Sequence, residues 1–251
     1  MTAATRARGR APFGAVLGFT LRACLPARRW WTLAIPCGAA VGFGLLSRLS
    51  DEPADQAFAT VADVGLFSLL IPIACLVIGD AVLGAELRSG TFHFTFLSPA
   101  PIWTIVTARW LGGWIVSLVT LVPAMALAAV VAQSPESVPA IALATAAGSA
   151  AYVGLFVLIG CVTRRTAVWS LAVVFFIERL LGSSLTGIAQ LSPMWEGRAV
   201  FAGLGPGTDD LLRDGLPEGW AAVVRLAIIT AVTLGLACWR LRHLRLTGSS
   251  D

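Results

Sequence analysis

Thirty consecutive residues, 102–131, carry a single charge, Arg109. An apolar run longer than about 18 residues reads as a helix that crosses a bilayer, because about 20 residues of helix match a hydrocarbon core about 30 Å thick. Within that core no water can satisfy the peptide groups, so the crossing segment must bond its own backbone as a helix. Five further apolar runs cover about 31–46, 58–82, 140–162, 167–188 and 220–239. Hydrophobic residues make up 57% of the chain and charged ones 13%, and mean hydropathy is +0.82, which excludes an ordinary soluble domain. The expected fold is an all-α integral membrane protein with six transmembrane helices. The first run is short for a crossing, and Gly38 and Gly42 within it form a small-xxx-small pair that admits a close neighbour.

Six crossings put both termini on one side of the membrane, and arginine decides which. All 18 basic residues are Arg. Thirteen fall on the termini and on the loops that share their side, counting Arg109, three fall on the opposite loops, and Arg179 and Arg225 lie inside runs. Basic residues near span ends stay cytoplasmic, so both termini and the loop after the second run are expected there. Nine of the 14 acids fall on the other side. The net charge of +4 therefore reports orientation rather than a nucleic-acid partner.

Three regions follow along the chain. Residues 1–30 are expected to form a cytoplasmic N-terminus with an amphipathic interfacial helix, since Phe13, Leu17 and Leu21 recur every four residues and Trp30 and Trp31 suit the headgroup level. A signal peptide fits less well, because its charged region would be too long and no small-residue cleavage site follows. Residues 31–239 form the six-span body, with a cytoplasmic loop at 80–101 and a polar outer segment at 190–219 carrying five acids. Residues 240–251 form a cytoplasmic tail.

Enzyme chemistry has little foothold. No G-x-x-x-x-G-K-[ST] phosphate loop is present, and no serine sits in a G-x-S-x-G setting. His93 and His243 have no His partner at a metal spacing, and Cys24, Cys37, Cys75, Cys161 and Cys238 stand singly. Reduced cysteine at such positions behaves as a small hydrophobe. No catalytic or metal-binding residue is assigned.

The stretch 79–113 breaks the apolar pattern with Asp80, Glu86, Arg88 and Arg109. Charges at the bilayer centre are costly, which places this stretch at a membrane face. Its core, Glu86-Leu-Arg-Ser-Gly-Thr-Phe, is followed by Leu97-Ser-Pro-Ala-Pro, then Trp103 and Arg109 before a Gly-Gly pair. This order resembles the first cytoplasmic loop of ABC-2 type permeases. Members show an acidic residue, Gly-Thr, a short apolar helix, Ser or Ala before Pro, and a basic residue opening the next span.

The resemblance implies the membrane subunit of a bacterial ATP-driven exporter, in the cytoplasmic membrane. It implies a second permease subunit, the same or different, and a separate ATPase chain that holds ATP and Mg; the present chain would carry no cofactor. A short coupling helix at about 85–97 would dock on that ATPase. Glu86 and Arg88 would face the ATPase or each other, Gly90 and Thr91 would allow close approach or a break, and Phe92 and Phe96 would fill an apolar groove. Phe92-His-Phe-Thr-Phe also alternates with the period of a strand. A lipid-anchoring loop is the other reading of these residues. Pro99 and Pro101 close the helix, and Arg109 is expected to snorkel to phosphate headgroups. Cargo would be amphiphilic or hydrophobic, such as a drug, lipid or peptide. Two other classes remain open: a polytopic anchor or sensor that recruits a cytoplasmic partner, and an ion-coupled secondary transporter.

Asp63, Glu178, Arg179 and Arg225 lie inside apolar runs, where an isolated charge should not persist. At 1.5 Å per residue, Glu178 sits about 16 Å into its span, and Arg225 about 8 Å from the outer end of its own. A buried network is expected, Glu178 with Arg225 and Asp63 with Arg179 or Arg225, serving either as a structural lock or as a cargo site.

Overall fold

The computed structural model describes residues 4–24, 31–84, 101–163, 165–208, 211 and 214–243. Among these every regular element is helical. The helices are α1 (Ala4–Cys24), α2 (Trp31–Ser47), α3 (Ala54–Val82), α4 (Ile102–Val131), α5 (Val138–Val162), α6 (Thr166–Ser184), α7 (Pro193–Leu204) and α8 (Trp220–Arg242). Five of them, α3 to α6 and α8, are long and apolar enough to cross a membrane. These define a multi-pass membrane protein. The first apolar run of the sequence forms α2, an apolar helix of 17 residues that is shorter than these five.

Local chemistry sets the ends. Pro101 precedes α4 in an extended conformation, and its missing N–H falls where a helix start leaves donors unused anyway. At the other end Gln133 takes a left-handed turn (φ 64°). Its N–H reaches the Val130 carbonyl at 3.1 Å and that of Ser134 reaches Ala129 at 3.0 Å, a Schellman closure made without glycine. The Ser134 hydroxyl then donates to Asp55 at the head of α3 and bonds Ser137, and Arg48 after α2 donates to the Val131 carbonyl. One end of the bundle is thereby stitched across α2, α3 and the α4–α5 turn.

α4 and α5 form the centre. Trp110 and Trp114, one turn apart and stacked with centroids 5.3 Å apart, donate their indole N–H groups to the Ala150 and Ala146 carbonyls at 3.0 Å. α1 lies against α4, with Leu17 and Thr20 on Gly112. α2 approaches α4 at Gly44, where an added Cβ would stand 2.5 Å from the Ala128 carbonyl oxygen. Gly38 and Gly42, the pair singled out by spacing, have open space on that side among the described residues. α8 packs on α5 at Gly154 and Thr233.

On α8 the exposed residues Trp220, Val224, Ile228, Val232, Leu236 and Trp239 form an apolar stripe along the outer surface. Its two tryptophans are separated by about 28 Å along the axis, the thickness of a hydrocarbon core with an indole at each edge.

Two departures from expectation matter. The outer segment 190–219 is no plain polar loop: it contains α7, most of whose residues are buried against α5, α8 and the start of α3. Arg109 does not reach for headgroups. It is 1% exposed and donates through Nη1 to the Val82 carbonyl at 2.8 Å, in the π-helical turns Asp80–Gly84 that close α3. π-helical stretches also interrupt α3 at Ala62–Leu70 and α6 at Val173–Leu181.

Candidate functional site: a buried polar cluster around the seventh helix

The start of α7 explains how charged residues come to be buried here. Ser192 is its N-cap, accepting weakly from the Trp195 N–H at 3.4 Å, and Pro193 occupies the first turn, where its fixed φ suits a helix start. After that start, α7 presents Trp195, Glu196 and Arg198 in three directions, because successive helical residues point about 100° apart.

Toward α6, Glu178 is 2% exposed and collects hydroxyls. Tyr152 of α5 donates to its Oε2 at 2.6 Å and Ser192 donates to its Oε1 at 2.8 Å. The indole N–H of Trp195 donates to the backbone carbonyl of the same residue at 3.0 Å. That approach depends on Gly182, since a Cβ there would lie 2.6 Å from the Trp195 nitrogen. Tyr152 is itself buried and stacked on Phe156, with centroids 5.6 Å apart.

Toward α3, Arg198 pairs with Asp63, Nε to Oδ1 at 3.0 Å, and its guanidinium lies over the Trp195 ring at 5.0 Å. Arg179 on α6 also bears electrostatically on Asp63. The π-helical turn that carries Asp63 has its own local tie, the Ser68 hydroxyl donating five residues back to the Asp63 carbonyl at 2.9 Å. Toward α8, Glu196 is wholly buried and meets Arg225, Oε1 to Nη1 at 3.5 Å. α7 lies between crossing segments rather than in one, and burial there pushes the Glu196 carboxyl up to about 7, with Arg225 pulling it back down.

The expected residues thus converge on one region but pair differently from the sequence expectation. Glu178 takes Tyr152 and Ser192 in place of Arg225, and Arg225 takes Glu196. Asp63 takes Arg198, with Arg179 as a more distant influence. The physical reason is α7, which inserts between α6 and α8 and brings its own acid and guanidinium. Sequence reasoning missed Tyr152, Ser192, Trp195, Glu196 and Arg198. The available signal was Ser192-Pro193, an N-cap and first-turn proline, a few residues ahead of the apolar stretch Ala199–Leu204.

Chemically the cluster can hold helices together and hold protons. Among the described residues no three His, Cys, Asp or Glu side chains converge as a metal site would require. A small cleft adjoins it, lined by Trp195, Arg198, Leu211, Leu216 and Glu218 among others. The docking residues Glu86, Arg88, Gly90, Thr91, Phe92 and Phe96 lie outside the described residues. No protein-family model matches the sequence, and no curated protein shows significant similarity to it.

Proposed function

We propose that the chain is the transmembrane permease subunit of an ATP-driven exporter of the ABC-2 type. In this reading it pairs with a second permease subunit and sits on a separate ATPase chain that holds ATP and Mg. The observation that carries the reading is the stretch 79–113: a charged, proline-punctuated segment between two long apolar helices, with the loop motif quoted above. The Arg109 bond to the Val82 carbonyl supports it, since it ties together the two helices that flank the loop, so force on the loop reaches both.

In this reading α2 is a sixth crossing. Its 17 residues span about 26 Å, slightly less than the core. α1 lies in the inner interface, both termini and the 80–101 loop face the cytoplasm of a bacterium, and amphiphilic or hydrophobic cargo moves between the paired subunits. The decisive experiment is purification of the tagged chain from its native membrane. An ATPase subunit that copurifies, and is lost on Glu86→Arg or Phe92→Asp while membrane insertion persists, supports the reading; unchanged association in both variants assigns the loop to lipid anchoring. Single cysteines at Gly248 and Ala54 in a Cys-free background test orientation: only the Ala54 position should react with an impermeant thiol reagent from outside.

A second reading, an ion-coupled transporter, is favoured by the buried carboxyls Glu178 and Glu196. Uptake or export in proteoliposomes driven by an ion gradient without ATP would select it.

A further inference from the structure

We propose that Glu196 is a proton-binding site that latches α7 to α8: ionised, it holds Arg225; protonated, it releases that helix end. The ligand is a proton, and the proposal stands apart from the transporter reading, since it concerns one carboxyl and its neighbours whatever the cargo.

The geometry around Glu196 is asymmetric. Its side chain is 0% exposed, yet Oε2 is buried with no hydrogen-bond partner, and Oε1 meets Arg225 only at 3.5 Å. The Arg225 side chain is 39% exposed and sits about 8 Å from the outer end of α8, so its long stem can carry the guanidinium to the outer interface without stranding it. An incompletely bonded carboxylate in a dry site is unfavourable, and taking up a proton relieves it at once.

Among the described residues, the other charges nearby are engaged elsewhere. On α7 itself Arg198 is engaged by Asp63 of α3 and lies over Trp195. α5 contributes Tyr152, which donates to Glu178. α6 contributes Glu178, held by Tyr152 and Ser192, and Arg179, which bears on Asp63. α8 contributes Arg225 at this end. A single half-exposed guanidinium therefore opposes a buried acid, and a value near 7 lets the proton exchange around neutrality. Loss of this tie leaves α7 pinned through Arg198 to Asp63, through Trp195 to the Glu178 carbonyl and through the Gly219 N–H to the Ala199 carbonyl, so the change is confined to the first turns of α8 around Arg225.

The sign of the pH dependence follows. The folded-state value lies above the ordinary carboxyl value of 4.5. The stability contributed by this group is fully present below the ordinary value and is lost as pH rises through about 7. The test is thermal unfolding of the purified full chain in detergent across about pH 5 to pH 9. The wild-type protein should lose several degrees of Tm across that interval, Glu196→Gln should remove the loss, and Arg225→Gln should move its midpoint to higher pH. Parallel wild-type and Glu196→Gln profiles, or a midpoint unmoved by Arg225→Gln, overturn the site. Should Glu196→Gln fail to fold, the carboxylic acid C=O stretch in the infrared spectrum of the wild-type protein replaces it: a band that disappears near neutral pH supports the proposal, and the absence of any such band overturns it. The latch itself is read by amide hydrogen exchange at one alkaline pH. Faster exchange at residues 220–226 in Glu196→Gln supports release of α8, and unchanged exchange there overturns it.

Discussion

The hydroxyl of Tyr152 and the carboxyl of Glu178 meet at 2.6 Å between two helices consecutive in the chain, with no cation in the contact. Both side chains are buried, so the bond cannot be replaced by water. Hydrogen bonds to charged groups are worth about 1.5 to 3 kcal/mol, more than an exposed ion pair provides. Tyr152→Phe should therefore lower the stability of the purified protein by about 1.5 to 3 kcal/mol, read as a fall in Tm in detergent. Combining it with Glu178→Gln should cost less than the sum of the two single losses, because both remove the same bond. Additive losses would place the two residues in separate interactions.

The Asp63–Arg198 pair should matter less. Its side chains are about one-fifth exposed, and partial solvent screening limits such a pair to about 1 kcal/mol. Arg198→Lys should still cost measurable stability, because a lysine keeps the charge but loses the flat stacking over Trp195. Equal Tm values for the wild type and Arg198→Lys would remove the stacking contribution.

Gly182 is the point at which α6 admits the Trp195 ring. Gly182→Ala must displace the indole and break its bond to the Glu178 carbonyl, a loss of about 1 to 3 kcal/mol. Trp195→Phe in the same chain should recover part of it by removing the clashing nitrogen; no recovery would locate the strain elsewhere.

The glycines of α2 give a graded comparison. Gly44→Ala drives a methyl into the Ala128 carbonyl and should destabilise the protein, whereas Gly38→Ala and Gly42→Ala meet nothing among the described residues and should leave monomer stability unchanged. A loss in the latter two, matched by a change in oligomeric state, would show that their open face is used by another molecule.

How much of this could be read from sequence depends on whether a segment's environment is uniform. α4 begins at Ile102 and ends at Val131 as expected, because Pro101 and the turn at Gln133 bound an unbroken apolar run. α3 begins at Ala54 rather than about Phe58, since the polar first turn Asp55-Gln56 belongs to the helix and is bonded to the Ser134 turn. α7 was hidden for the opposite reason: Glu196, Arg198 and the acids after it read as an aqueous segment, although the first two are neutralised by partners on α8 and α3. Single residues inside runs drew attention to Asp63, Glu178, Arg179 and Arg225. Their pairing was not legible, because it depended on a helix whose insertion into the bundle no local pattern announces.

Asp63 on α3 and Glu178 on α6 both lie in π-helical turns. A turn closed five residues apart holds one residue more than an α turn. Each of these helices therefore carries a phase slip: the side chains before it and after it are set about 100° out of step with an uninterrupted helix. Removing one residue from 62–70 or from 173–181 would leave a continuous helix of nearly the same reach, yet aim everything beyond the deletion at different neighbours. The two acids sit where the helix changes the direction in which it is read, and that slip is what lets one face serve the α7 cluster while the remainder serves the lipid and the other crossings.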